Sequence, residues 1–240
     1  MKTLQRLILA AALAAPVTAL STPSRAEEMD DAIYYHMKTE RLEYRAGDGT
    51  DVLYWDINAW VGNDDHRIAF KSEGEKPVGK SVDSAELQLL YRRPVSDFFD
   101  LNFGVRHDLR PNPDRTYAVI GFEGLAKQFV ETEGNLFFSQ KGDVSLRLKG
   151  FVDWFLTQRL ILQPMAELNA AFSEDAAIGS GAGIDSLELG LRLRYEIHRK
   201  FAPYIGVHWE RKFGSTANFV REEGGDPDNL YFVGGVSFWF

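Results

Sequence analysis

The sequence predicts an all-β fold, a transmembrane antiparallel up-and-down β-barrel of about twelve strands. Three observations predict it. Apolar and polar residues alternate along most of the chain after residue 33, turn-forming residues divide this part into short segments, and the last residue is an aromatic, Phe240. Alternation with a period of two is typical of strands. Because only every second residue of such a barrel must be apolar, a hydrophobic content of 45% is compatible with this class.

Residues 1–26 are predicted to be a signal peptide. Lys2 and Arg6 give it a positively charged start, and the mostly apolar stretch from Leu7 to Leu20 follows before a small-residue cleavage site. A membrane anchor is the alternative, but the apolar stretch is interrupted by Pro16 and is shorter than a spanning helix requires. We therefore expect export and removal of this segment.

Composition limits the partners of the mature chain. Removal of residues 1–26 takes away three basic residues and no acidic one, so the formal charge becomes more negative than the −8 of the full chain. An acidic chain lacks the basic surface that nucleic acid requires and is better suited to cations. The absence of cysteine excludes disulfides, thiolate metal sites, a cysteine nucleophile and a lipoprotein anchor.

The clearest strand is Ser186–Glu196, in which leucines on one face alternate with charged and small residues on the other. Eleven residues are enough for a tilted strand to cross a bilayer. If the apolar face contacts lipid, the polar face must line the lumen. A short periplasmic segment, 27–33, precedes the barrel, 34–240. The predicted strands are 34–45, 51–61, 66–74, 83–92, 99–109, 115–125, 128–140, 143–155, 158–172, 184–197, 200–213 and 230–240.

The lengths of the connections predict the orientation of the barrel. With an even number of strands both termini lie on the same side of the membrane, and if that side is the periplasm, every second connection must be a short turn. The long connections, 75–82, 173–183 and 214–229, all fall on the other, extracellular side, as is usual for this class.

Aromatic residues near the strand ends predict contact with membrane lipid. They sit on apolar positions, where girdles of aromatic side chains meet the lipid headgroups: Trp55, Tyr91, Trp154, Tyr195 and Trp209. The last strand places Phe232, Val236, Phe238 and Phe240 on one face. A terminal strand that ends in an aromatic resembles the signal that the outer-membrane assembly machinery reads, so this machinery is a predicted partner.

Several blocks of sequence, in order from about residue 40 to the end, resemble the copper resistance protein B family of Gram-negative outer membranes. The blocks are Trp55-Asp56 with Ala59-Trp60-Val61-Gly62, Lys71-Ser72-Glu73-Gly74-Glu75, Gly121-Phe122-Glu123-Gly124-Leu125-Ala126, Thr157-Gln158-Arg159-Leu160-Ile161-Leu162-Gln163-Pro164, Leu189-Gly190-Leu191-Arg192-Leu193-Arg194-Tyr195-Glu196-Ile197 and Phe201-Ala202-Pro203-Tyr204-Ile205-Gly206-Val207.

The resemblance implies an outer-membrane barrel that binds copper or lets it pass, with copper as cargo and a periplasmic copper protein as a further partner. Members of the family often carry a Met- and His-rich segment before the barrel. Here only 27–33 lies between the predicted signal peptide and the first strand, with Met29 as its one sulfur ligand.

Copper is bound by imidazole in both oxidation states, by thioether as Cu(I), and with carboxylate oxygens as Cu(II). If the turn after residue 196 is short, His208 lies opposite Gly190 and Glu210 lies opposite Glu188. Neighbouring strands are about 4.8 Å apart, so five lumen-facing residues are predicted to form one metal-binding patch. These residues are Met165, Glu167, Glu188, His208 and Glu210.

Three other interpretations stay open at this level. The charges on the same wall, with Arg192, Arg194 and Lys212 among them, could form a salt-bridged plug. The barrel could be a general porin or a structural barrel without metal specificity. It could also be a phospholipase, for which His107 is the one outward-facing candidate base, although no outward serine is paired with it. No catalytic residue is predicted.

Overall fold

The computed structural model describes residues 32–47 and 49–240, which form a closed barrel of antiparallel strands. Each strand pairs with its neighbours in the sequence, and the first strand pairs with the last. This confirms the predicted fold class. The predicted signal peptide and most of the segment 27–33 lie outside the described residues.

Twelve strands build the barrel. They are β1 (Tyr34–Gly47), β2 (Val52–Gly62), β3 (Arg67–Pro77), β4 (Ser84–Ser96), β5 (Phe99–Arg110), β6 (Arg115–Ala126), β7 (Val130–Ser139), β8 (Val144–Val152, continued by Trp154–Phe155), β9 (Leu160–Ala171), β10 (Gly183–Tyr195), β11 (Phe201–Lys212) and β12 (Asp228–Trp239).

The barrel closes where β1 meets β12. Lys38 pairs with Trp239, and beyond the strand the backbone groups of Met37 and Phe240 exchange two hydrogen bonds of 3.2 and 2.9 Å. The chain therefore leaves no free strand edge at this seam, which a barrel in lipid requires because its backbone groups find no water there. The end of the barrel with Tyr34 and Phe240 is called the terminal end below, and the opposite end the loop end.

The long connections all lie at the loop end, as the sequence predicted. The connection between β11 and β12 differs from the expected open loop because it contains a helix, α1 (Gly214–Glu222). Thr216 and Ala217 of α1 are buried. The Thr216 hydroxyl accepts a hydrogen bond of 2.8 Å from the Gly181 amide and donates one to Asp185. In the described part of the chain, no helix is long and apolar enough to cross a membrane.

One strand is less regular than predicted. The eighth strand pairs as far as Val152, is interrupted at Asp153 and resumes with Trp154 opposite Leu162. The carboxylate of Asp153 accepts hydrogen bonds from Gln163 at 2.7 Å and from Arg194 at 2.5 Å. These side-chain contacts accompany the break in the backbone ladder.

The distribution of side chains is the reverse of that in a water-soluble domain. Among the described residues, buried polar and charged side chains outnumber buried hydrophobic ones, while large apolar side chains such as Leu189, Ile205 and Phe232 are exposed on the outside. A soluble protein exposes few contiguous apolar patches of this size. An apolar outer belt around a polar interior is the pattern of a membrane barrel.

A candidate metal site in the lumen

The residues predicted to bind metal lie on two neighbouring rungs of the sheet, where a rung is a row of directly opposed residues on adjacent strands. On the first rung Met165 of β9 faces Gly190 of β10, which faces His208 of β11. On the second rung, Glu167, Glu188 and Glu210 face one another in the same order.

His208 is fully buried, with 0% of its surface exposed. Its Nε2 lies 3.5 Å from Glu188 Oε2, which is too long for a good hydrogen bond. Neither ring nitrogen has a hydrogen-bond partner within the described chain. A buried polar atom without a partner costs about 1–3 kcal/mol, so this histidine is the least satisfied polar side chain of the patch.

The three glutamates of the second rung have different surroundings. Glu167 lies 3.4 Å from Arg147, and Glu210 lies 3.4 Å from Lys212. Glu167 Oε2 is nonetheless without a hydrogen-bond partner in the described residues. Like charges directly opposite each other on adjacent strands destabilise a sheet, so this rung favours a positive charge in front of it.

Met165 is surrounded by guanidinium groups. Its sulfur accepts hydrogen bonds from Arg41 at 3.3 Å and from Arg192 at 3.8 Å. The Arg192 guanidinium occupies the space above Gly190, where a Cβ atom would lie only 2.2 Å from Nη1. Arg192 therefore stands between Met165 and His208.

The side chains do not form a preassembled metal site. Among the residues that the structure describes, no group of three His, Cys, Asp or Glu is arranged closely enough to hold a metal ion. His208 and Glu188 are two adjacent donors. A third carboxylate, from Glu167 or Glu210, reaches them only after leaving its present basic partner.

Ion pairs cross the lumen beside this patch. Lys149 of β8 bonds Asp56 of β2 at 2.7 Å, and these strands stand six apart, on opposite walls of the barrel. Arg192 of β10 holds Glu43 of β1 with two bonds of 2.5 and 3.1 Å. The salt-bridged plug that the sequence left open is therefore present in the described lumen.

The space between these ion pairs is small. A cavity of about 20 Å³ lies among Asp56, Glu73, Glu86 and Lys149, and this volume holds about one water molecule. The lumen is thus filled at this level mostly by side chains, as small barrels are.

The central cluster around Tyr54 was missed by sequence reasoning. The Arg41 and Arg45 guanidiniums lie 4.6 and 3.8 Å from its ring centre, and its hydroxyl donates a hydrogen bond to Glu73. Alternation marked these positions as lumen-facing, but it carries no information on which distant strands face each other across the barrel.

The other histidines lie outside the patch. His66 and His198 are exposed in turns at the terminal end. His36 sits between the rings of Trp60 and Trp239, with centroids 6.0 and 5.8 Å away. His107, the candidate base of the phospholipase interpretation, is 2.9 Å from the Thr116 hydroxyl, and no serine contact accompanies it among the described hydrogen bonds.

The fold resembles that of solved porins. The NanC porin aligns with a TM-score of 0.54 at 13% identity, over 85% of this chain and 99% of the porin. The KdgM porin aligns with a TM-score of 0.50 at 9% identity, over 85% and 99% of the two chains. At these identities the likeness concerns the fold alone, and together with the closed sheet and apolar belt it defines a porin-like membrane β-barrel.

Sequence comparison identifies the family. Residues 33–240 match the family described as copper resistance protein B precursor. The chain is 44% identical over 211 residues to copper resistance protein B of Escherichia coli, and 38% identical over 211 residues to its homolog in Pseudomonas syringae pv. tomato. Each alignment covers 88% of this chain and 71% of the relative. The chain belongs to the copper resistance protein B family, and this membership supports an outer-membrane location.

Proposed function

We propose that this protein binds copper in the lumen of an outer-membrane barrel and controls its passage across that membrane, without catalysing covalent chemistry. The observation that carries the proposal is His208, a fully buried imidazole 3.5 Å from Glu188, neither of whose nitrogens bonds to any residue of 32–47 or 49–240. A bound cation would give these nitrogens and the neighbouring carboxylates a partner. Family membership supports copper as that cation.

Controlled passage is favoured over a general pore by the contents of the lumen. A passive porin needs a continuous aqueous channel, whereas here the Lys149–Asp56 pair joins opposite walls. A copper ion that recruits Glu167 or Glu210 must replace Arg147 or Lys212, whose contacts belong to the same lumen. Binding would therefore be coupled to rearrangement of the ion pairs.

Two protein partners belong to the proposal. A periplasmic copper protein would exchange copper at the terminal end, which we place in the periplasm because the long connections lie at the other end. The assembly machinery of the outer membrane would read β12 and the aromatic side chain of Phe240, which is 61% exposed.

The test compares copper accumulation in cells that carry the gene, lack it, or carry His208→Ala, together with copper bound by each purified barrel. We expect the gene to change cellular copper and the variant to abolish most of the change and of the binding. His198→Ala, in an exposed turn, serves as the histidine control and should behave as wild type. Equal copper in all strains, with no copper on the purified wild-type barrel, would refute the proposal.

A further inference from the structure

The luminal patch contains hard donors, which are nitrogen and oxygen atoms, and one soft donor, a thioether sulfur. The two kinds differ in how many other contacts they make. The available donors are the nitrogens of His208 and the carboxylate oxygens of Glu188, whereas Glu167 and Glu210 are paired with Arg147 and Lys212. The thioether of Met165 is the soft donor on the first rung. Its availability decides which oxidation state of copper the patch suits, because thioethers favour Cu(I) whereas a nitrogen and oxygen set favours Cu(II).

The Met165 sulfur is engaged by two cations. Arg41 and Arg192 both donate to it, and both guanidiniums are held by buried carboxylates, Arg41 by Asp56 at 2.9 Å and Arg192 by Glu43 at 2.5 Å. A copper ion could bind this sulfur only if both hydrogen bonds were given up, and the carboxylates hold the two guanidiniums in place. The other methionine in the described chain, Met37, is 40% exposed on the outside of the barrel.

Carboxylate oxygens lie beside His208. Nε2 lies 3.5 Å from Glu188 Oε2, and Glu188 stands between Glu167 and Glu210 on its rung. Glu167 is 3% exposed and its Oε2 lacks a hydrogen-bond partner in the described residues. A metal between His208 and Glu188 would gain a further carboxylate oxygen once Glu167 or Glu210 moves away from Arg147 or Lys212.

We infer that the site takes copper as Cu(II), through His208, Glu188 and one flanking glutamate, and that Met165 is a structural acceptor for arginine. This inference rests on the proposed function and specifies the ion that it concerns. Among first-row divalent ions Cu²⁺ binds such donors most tightly, so the same set also favours copper over Ni²⁺ and Zn²⁺.

The test uses the purified full-length barrel in detergent, titrated with Cu(II) and, as a stable stand-in for Cu(I), with Ag(I). We expect Cu(II) to bind at least about tenfold more tightly than Ag(I), a difference of about 1.4 kcal/mol. The electron paramagnetic resonance spectrum of bound Cu(II) should show coupling to imidazole nitrogen, and His208→Leu should remove it.

Paired variants separate the donors. Glu188→Gln should weaken Cu(II) binding by about tenfold or more, whereas Met165→Leu, which keeps the volume of the side chain, should leave it within about twofold. His198→Leu is the control for a histidine outside the patch. Variants are compared only after heat-dependent gel mobility shows a folded barrel.

The possible outcomes separate the inference about Cu(II) from the proposed function. Tight Ag(I) binding that Met165→Leu abolishes, with weak Cu(II) binding, would overturn the Cu(II) inference and leave the proposed function standing. Binding of neither ion would refute both. Cu(II) binding that is unchanged in His208→Leu and Glu188→Gln would locate the metal elsewhere and overturn the assignment of this site.

Discussion

His208 is costly to the barrel, because its two nitrogens are buried without a hydrogen bond to any described residue. The neighbouring Gly190 is constrained as well, since the space where its Cβ would lie contains the Arg192 guanidinium. The shape and charge of the lumen therefore constrain both residues. The propensity of these residue types to form strands does not explain either of them.

Replacing His208 by leucine tests this cost. In metal-free detergent solution we expect His208→Leu to unfold with a free energy equal to wild type or about 1–3 kcal/mol higher, because the unsatisfied nitrogens are gone. The wild type should gain about 2.7 kcal/mol with copper at about one hundred times its dissociation constant, and the variant should gain nothing. Urea unfolding with and without Cu(II) measures both effects, with His198→Leu as the control. A metal-free variant several kcal/mol less stable than wild type would contradict this account.

At the scale of single elements, one side-chain hydroxyl joins helix α1 at the loop end to two neighbouring parts of the chain. Thr216 joins α1 to the connection between β9 and β10 through the Gly181 amide and to β10 through Asp185. A helix of nine residues is marginal by itself in water. The position of α1 is therefore set by its tertiary contacts.

Thr216→Val removes the hydroxyl and keeps the shape of the side chain. We expect faster trypsin cleavage after Arg221, which is exposed in the last turn of α1, with no change in the heat-dependent gel mobility of the barrel. Thr157→Val provides the matched control, because Thr157 bonds the Leu160 amide in a turn at the other end. Cleavage at Arg221 at the wild-type rate in Thr216→Val would show that the hydroxyl does not hold α1.

At the scale of the whole molecule, charged pairs span a barrel whose outside is apolar. Asp56 accepts from Lys149 across the lumen and from Arg41 on the adjacent strand, with bonds of 2.7 and 2.9 Å. Pairs of this kind offset the large cost of burying charge. If copper passes through the lumen as proposed, these pairs lie in its path, and stability and passage then depend on the same residues.

Lys149→Ala should open this crossing. We expect higher ion conductance in planar bilayers than for wild type, because the side chain that joins the two walls is shortened. Arg41 still pairs with Asp56, so the loss in unfolding free energy should stay below the roughly 3–5 kcal/mol of leaving a buried charge unpaired. Arg211→Ala, which removes an exposed pair with Asp228 of 3.4 Å, is the control and should conduct as wild type does. Unchanged conductance in Lys149→Ala would mean that this pair does not limit the pore.

Much of this architecture can be predicted from local patterns in a single sequence. The side chain of each strand residue alternates between lipid and lumen, and a short turn fixes the register of the two strands that it joins. For this reason the opposition of His208 to Gly190, and of Glu188 to Glu210, was predicted correctly.

Other features depend on residues far apart in the chain, and only the tertiary structure decides them. The contacts of Met165 with Arg41, of Lys149 with Asp56 and of Thr216 with Gly181 join distant strands and loops. The alternation of polar and apolar residues predicts which side chains face the lumen. It does not predict which of them contact each other, because those contacts depend on barrel closure, strand tilt and side-chain length. The sequence by itself thus determined a barrel with its candidate copper ligands facing inward. Only the closed barrel brings two arginines into hydrogen-bond contact with the Met165 sulfur. It also leaves His208 beside three glutamates, without a hydrogen bond to any described residue.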